Sequence, residues 1–291
     1  MTGGARVVDA HLHVWRLPRA PGDSPYPWLT PTLGPLYADV DAGRAGRELA
    51  AHGVHRAVFV QADDTAADTA AMLAAADAHD FIEGVVGWLP LDDPPAASRA
   101  LSRWRAHPAF CGVRHLVHDD PRADFLDRAD VRESLTLLQA EGVPFDVPDA
   151  FPRHLGQVAR LLEDLPGLTV VVDHLAKPPL AQGPGSAAFR RWEAELRAVA
   201  ASPRAVSKVS GLRGTDAGRD LAGLLPALDV AVDAFGPTRL MYGGDWPMTL
   251  AVDGYGPGLA VVRAWAERLD RADADAFWWG TAERVYGLPA A

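Results

Sequence analysis

One cysteine, Cys111, stands among 291 residues, so no disulfide can close within the chain. Such sparing use of cysteine points to a reducing compartment, and a cytoplasmic location is expected. Asparagine is absent altogether, which removes every N-glycosylation sequon. No apolar run approaches the ~20 residues needed to span a membrane. Asp9 and His11 also break the first apolar stretch before it could serve as a signal sequence. Positive charge is in short supply, with 28 Lys+Arg against 38 Asp+Glu, a net charge of −10 and a pI near 5.4. That field repels phosphate backbones and anionic lipid, so neither nucleic acid nor a membrane is expected as a partner.

What remains is an ordinary globular composition, 48% hydrophobic and 23% charged. The length suits one α/β barrel domain covering residues 1–291. Short apolar runs recur at 6–15, 55–61, 82–89, 111–117, 143–147, 168–175, 205–212 and 239–246. They are rich in Val, Leu, Phe and Ile, as strands covered on both faces should be. Between them lie Ala/Leu/Arg-rich stretches with helical spacing, including 66–79, 95–106, 131–142, 154–165, 187–201 and 216–235. Gly142 closes the third of these as a C-cap. Eight strands alternating with helices predict a (β/α)8 barrel of the TIM type. A doubly wound open sheet would usually carry a glycine-rich turn after its first strand, where this chain has His11-Leu12-His13. Residues 17–37 hold six prolines and are read as a long irregular loop, with Tyr26 and Trp28 placed to cover a site.

Barrel chemistry sits at the C-terminal strand ends. Strand one ends in His11 and His13, an i, i+2 pair that points to one face. Strand four offers Arg114 and His115, with His118 just beyond; strand six ends Asp173-His174 and is followed by Lys177; strand eight ends in Asp245. Most of the ten histidines fall in helix or loop text and are read as incidental, but His11, His13 and His174 come from separate strand ends and supply the same chemistry. Lys177 and Lys208 are the only lysines, and both fall at strand ends, where a freely rotating point charge differs from a guanidinium fork. A solvated surface role is an even alternative for Lys177. Arg114 either pairs with a strand carboxylate or captures an anionic or hydroxylated substrate. Asp245, flanked by glycine, is a strand-end cap, a metal ligand or a general base.

Together these segments resemble a known family. Val8-Asp9-Ala10-His11-Leu12-His13-Val14-Trp15, Tyr26-Pro27-Trp28-Leu29, Val86-Gly87-Trp88 and Gly112-Val113-Arg114-His115 are similar to the sugar-lactonase branch of the amidohydrolase superfamily. So are Asp173-His174-Leu175-Ala176-Lys177-Pro178, Ser207-Lys208-Val209-Ser210-Gly211-Leu212 and Gly243-Gly244-Asp245-Trp246-Pro247. That branch includes L-fuconolactonase-like, L-rhamnonolactonase-like and pyrone-dicarboxylate lactonase enzymes, and the likeness runs in order along nearly the whole chain. It implies a distorted barrel that opens a small sugar-acid lactone. It also implies that His11, His13 and His174 polarise the carbonyl while Asp245 takes the proton of the attacking water. The same four residues would hold a metal where one is bound: one divalent ion, zinc foremost, or none. Two ions would call for a carboxylated lysine at strand four or five, for which the chain has no strong candidate. Trp28, Trp88, Arg114, His115, His118 and Lys208 are then expected to orient the substrate, with an indole offering a platform to the sugar ring.

The chain departs from the family pattern at Ala176, Gly243-Gly244, His118 and Asp120, and its strand-five text is a residue longer. These changes leave the four central residues intact and bear on which sugar is taken. Two other readings compete: a metal-dependent decarboxylase of the same superfamily, and a silent barrel that only binds a sugar acid. The segments around Trp28 and Lys208 favour the lactonase. The partner expected is a small-molecule lactone, and homo-oligomerisation is left open.

Overall fold

The structure, a computed structural model, describes residues 6–20, 23, 25–212 and 220–290. Eight parallel strands follow in sequence order: β1 Val8–Leu12, β2 Arg56–Val60, β3 Ile82–Gly87, β4 Phe110–Arg114, β5 Phe145–Val147, β6 Val170–Val172, β7 Ala205–Val209 and β8 Leu240–Tyr242. Each matches an expected apolar run, and the sequential order excludes the doubly wound alternative. The distortion is at the seam. Between β8 and β1 a single bridge, Leu12 to Trp246, replaces a ladder, held by the His13 N–H on the Trp246 carbonyl (2.8 Å) and the Asp245 N–H on the His11 carbonyl (2.8 Å).

The helices are α1 Ala42–Ala51, α2 Ala66–Ala78, α3 Pro94–Trp104, α4 Ala129–Glu141, α5 Leu155–Asp164, α6 Ala187–Ala200, α7 Leu221–Phe235, α8 Tyr255–Ala266, α9 Arg271–Asp275 and α10 Thr281–Tyr286. Side chains of Asp41, Thr65, Asp93, Ser186 and Asp220 cap the starts of α1, α2, α3, α6 and α7 by accepting a backbone N–H. Gly142 is left-handed at the end of α4, as its position predicts. The expected helical text at 216–219 lies outside the described residues; the rest of that stretch forms α7. The described residues of the proline-rich segment are irregular except for a short 3-10 turn, Pro31–Leu36. No helix among the described residues is long and apolar enough to cross a membrane.

Two hydrophobic clusters build the body. The larger fills the space between strands and helices. The smaller packs the barrel interior with Val8, Val58, Val86, Val171, Val206 and Met241, and its floor is closed by Ala282, Tyr286 and Leu288. Two residues further along a strand the same face recurs. Above this apolar layer, Gly112 therefore leads to Arg114, Val171 to Asp173, and Val206 to Lys208. A charged layer sits on the greasy floor and beneath the mouth.

Candidate active site

The strand ends deliver four groups to one place. His11 Nε2 faces His13 Nε2 at 3.0 Å, and Asp245 Oδ1 stands 3.8 Å from the first and 3.6 Å from the second. The His174 ring centroid lies 4.6 Å from that of His11, with Nδ1 2.8 Å from Ser210 Oγ. Local irregularities make this convergence. The register of β1 on β2 shifts between Asp9 and Leu12, the sort of bulge that re-aims side chains beside a site. β6 stops at Val172, and His174, Leu175, Ala176 and Lys177 all take positive φ, so Asp173 and His174 both turn inward. Asp245 is also left-handed (φ 52°). Such conformations in non-glycine residues cost energy and cluster at functional sites. Gly211 (φ 58°) completes the fit, because a Cβ there would lie 2.6 Å from His174 Nδ1 and 2.7 Å from Asp245 Oδ2.

Burial sets the charges. His11 and His174 are pushed well below the usual imidazole range by loss of solvent, so both are neutral at pH 7. Burial would raise Asp245, but His174, His13 and Lys177 outweigh it and bring its carboxyl down to about 2. The centre is therefore a carboxylate facing the neutral imidazoles of His11 and His174. The His13 Nδ1–H donates to the Val60 carbonyl at 2.8 Å, which turns Nε2 into the site. A tetrahedral zinc with bonds of about 2.0–2.2 Å spaces its ligand atoms roughly 3.3 Å apart. The His11, His13 and Asp245 atoms fit that spacing, and two ring nitrogens at 3.0 Å are well placed to share a cation. A second grouping, His11 with Asp173 and His174, shares His11 with the first, so the two are not independent sites.

Beneath lies the charged layer. Lys208 is fully buried; its Nζ sits 2.6 Å from Asp146 Oδ2, 3.0 Å from Asp173 Oδ1 and 3.1 Å from His11 Nδ1. Asp173 Oδ1 is 3.3 Å from that same Nδ1, and Arg114 Nε donates to Asp173 Oδ2 at 2.9 Å. Tyr286 adds its hydroxyl hydrogen to Asp146 at 2.7 Å. Burial alone would lower Lys208, but the two carboxylates hold it above the ordinary lysine value, so it stays an ammonium. Carboxylation needs a neutral amine, whereas this ammonium is held by two carboxylates.

A cavity of about 630 Å³ opens over the cluster. Of the expected substrate-orienting residues, Trp28, Arg114 and His118 line it, together with Lys177. The Trp28 indole N–H donates to the Ala62 carbonyl (2.7 Å), and its ring meets Trp15 edge-on. Arg114 makes the strand-carboxylate pairing considered for it, with Nε on Asp173 and Nη1 on the Gln61 carbonyl, and its side chain also borders the cavity.

Three expectations are corrected by position. Trp88 and His115 are not among the lining residues; the Trp88 indole N–H donates to His115 Nδ1 (3.2 Å), and His115 stacks on Phe125 at 4.3 Å beside Asp64 and Asp120. Consecutive residues on a strand face opposite ways, so Arg114 points inward and His115 does not. Lys208 lies under His11 instead of in the mouth, where it can touch no hydroxyl of a ligand. From the sequence Asp173 is noted at the end of strand six but given no role, and Asp146, Ser210 and Tyr286 are not singled out. A lone carboxylate inside the three-residue strand Phe145-Asp146-Val147 is the one signal that could have flagged Asp146.

A barrel whose mouth gathers imidazoles and one ionised carboxylate over a closed charged floor defines a class of hydrolytic barrel enzymes. The particular family follows from comparison: residues 8–288 match the amidohydrolase family, and the chain belongs to it. It is 38% identical over 297 residues to an L-fucono-1,5-lactonase of Burkholderia multivorans, covering 98% of this chain and 97% of that protein. An L-fucono-1,5-lactonase of Burkholderia ambifaria is 34% identical over 265 residues, 90% of this chain and 87% of that one. A crystal structure of an amidohydrolase from Burkholderia multivorans with bound zinc has a TM-score of 0.87 at 36% identity, covering 98% of this chain and 100% of that one.

Proposed function

We propose that this protein hydrolyses a small sugar-acid lactone, an aldonolactone such as L-fucono- or L-rhamnonolactone. The observation that carries the reading is the meeting of ionised Asp245 with His11, His13 and His174 at the base of one ligand-sized cavity. The two fuconolactonase relatives support it. Water attacks the ester carbonyl, the carbonyl carbon–ring oxygen bond breaks, and the ring oxygen leaves as an alcohol after taking a proton. Asp245 accepts the proton of the attacking water. Oδ1 faces the imidazoles while Oδ2 lies over Gly211, so the carboxylate can hold a ligand with one oxygen and a proton with the other. The neutral imidazoles flank the site where carbonyl charge develops. One zinc ion, held by His11, His13 and Asp245, would polarise that carbonyl and acidify the water when bound. Arg114, His118 and Lys177 border the cavity where the hydroxyl edge of the ring would lie, and Trp28 offers an apolar face to it. The acidic surface speaks against nucleic acid as a partner, and the single cysteine supports a cytoplasmic location.

The test is a panel of aldonolactones followed with a pH indicator, before and after chelation and with zinc restored. Turnover of one or more sugar lactones is expected, with one zinc equivalent per chain. A folded protein that opens none of them, or that binds two metal ions inside the barrel, refutes the reading.

A further inference from the structure

The cavity has two unlike walls. Arg114, His118 and Lys177, from the ends of β4 to β6, make the polar one. Across the mouth, from the β1, β7 and β8 side, the described residues along which the cavity continues are mainly apolar, Leu36, Leu224, Leu228, Met248, Val252 and Val262, with Ser210, Tyr242, Thr249 and Asp253 as polar exceptions. Leu224 and Leu228 come from α7 and Val262 from α8, so this gallery runs from Asp245 toward the space between those helices. At about 630 Å³ the whole cavity falls in the range that encloses a drug-sized ligand, which leaves room beyond one sugar ring.

The chemistry of the two walls sets the orientation of a lactone. With its carbonyl at the His/Asp cluster and its hydroxyl edge on the polar wall, the ring turns its remaining substituent toward the gallery. Among the described residues a hydroxylated arm there would lose water and find few partners. An alkyl arm would gain from the same burial. We propose that the site also hydrolyses lactones whose ring carries, on the carbon beside the ring oxygen, an alkyl arm longer than a methyl group, and that the arm lies in this gallery. The inference rests on the lactonase reading and extends its substrate class.

The experiment measures kcat/KM for 5-alkyl δ-lactones from methyl to pentyl, with L-fuconolactone as the reference. Each methylene removed from water is expected to raise kcat/KM about fourfold. Val262→Trp and Val252→Trp, on separate elements, should fill the gallery and lower the pentyl-to-methyl ratio at least tenfold, melting curves showing which variant is folded. If L-fuconolactone is opened and the alkyl series is flat or falling, this proposal is overturned and the lactonase reading stands. A rising series whose ratio is untouched in both folded variants also overturns it, because the arm then lies elsewhere. If the folded protein opens neither sugar nor alkyl lactones, both readings fall together.

Discussion

Asp245 and Asp173 divide the work of the centre between a carboxylate in the mouth and one beneath it. Asp245→Asn keeps size and most hydrogen bonding but removes the proton acceptor. The chemical step is expected to fall about 100-fold or more, with KM changing far less, because the proposed reading gives the holding of the ring to Arg114, His118 and Trp28. Steady-state hydrolysis beside a melting curve checks this; a folded variant that retains a tenth of wild-type turnover removes Asp245 from the role of base. Asp173 is placed to act through His11. When His11 donates Nε2 to a metal, its Nδ1 must carry the hydrogen, and Asp173 Oδ1 is the nearest carboxylate to accept it, at 3.3 Å. Asp173→Asn should therefore weaken zinc binding by about 10–100-fold in a calorimetric titration of metal-free protein. Unchanged affinity in a folded variant would leave Lys208, at 3.1 Å from the same nitrogen, as the group that governs His11.

At the scale of the elements, the strands were legible because a buried parallel strand is a short apolar run between turn signals, and eight such runs leave few architectures. The first-strand histidines were legible for the same reason: position on a strand implies a face. Strand alternation carries Asp173 inward after Val171 but would turn His174 away, and the left-handed run from His174 to Lys177 brings both inward. Tyr286 was hidden by distance, since it joins Asp146 across 140 residues from the last helix. Lys208 was placed on the correct strand but in the wrong layer, one step below the mouth. The loop after β7 supplies a test of how tightly this geometry is held. Gly211→Ala adds a methyl group where His174 and Asp245 leave no space and where φ is 58°. It should destabilise the fold by about 1–3 kcal/mol and cut turnover together with metal content, as read by calorimetry and metal analysis. A variant with wild-type stability and activity would show that the two side chains can part without loss.

Across the whole molecule, the cavity wall depends on fastening the proline-rich segment to the barrel, and one buried carboxylate does much of it. Asp68, at the start of α2, accepts the Tyr26 hydroxyl at 2.6 Å and the Ala62 and Asp63 N–H groups at 2.9 and 3.3 Å. Burial pushes its carboxyl up to about 6, even though those three donors pull it back. A carboxyl raised in the folded state contributes stability that is complete below its unfolded value near 3.8 and is lost as pH rises through the folded value. Tyr26→Phe removes one donor to the ionised form, so the folded value rises further and the loss continues to higher pH. Wild type and variant should therefore differ least near pH 5 and increasingly through pH 6 to 8. The added cost above pH 7 is about 1–2 kcal/mol, or a few degrees in Tm. Trp28, two residues on, lines the cavity, so KM should rise with that cost while kcat changes less. Melting curves of both proteins across this pH range decide the matter. A Tm gap that is constant, or that narrows as pH rises, means Asp68 is not the titrating group that ties the segment down.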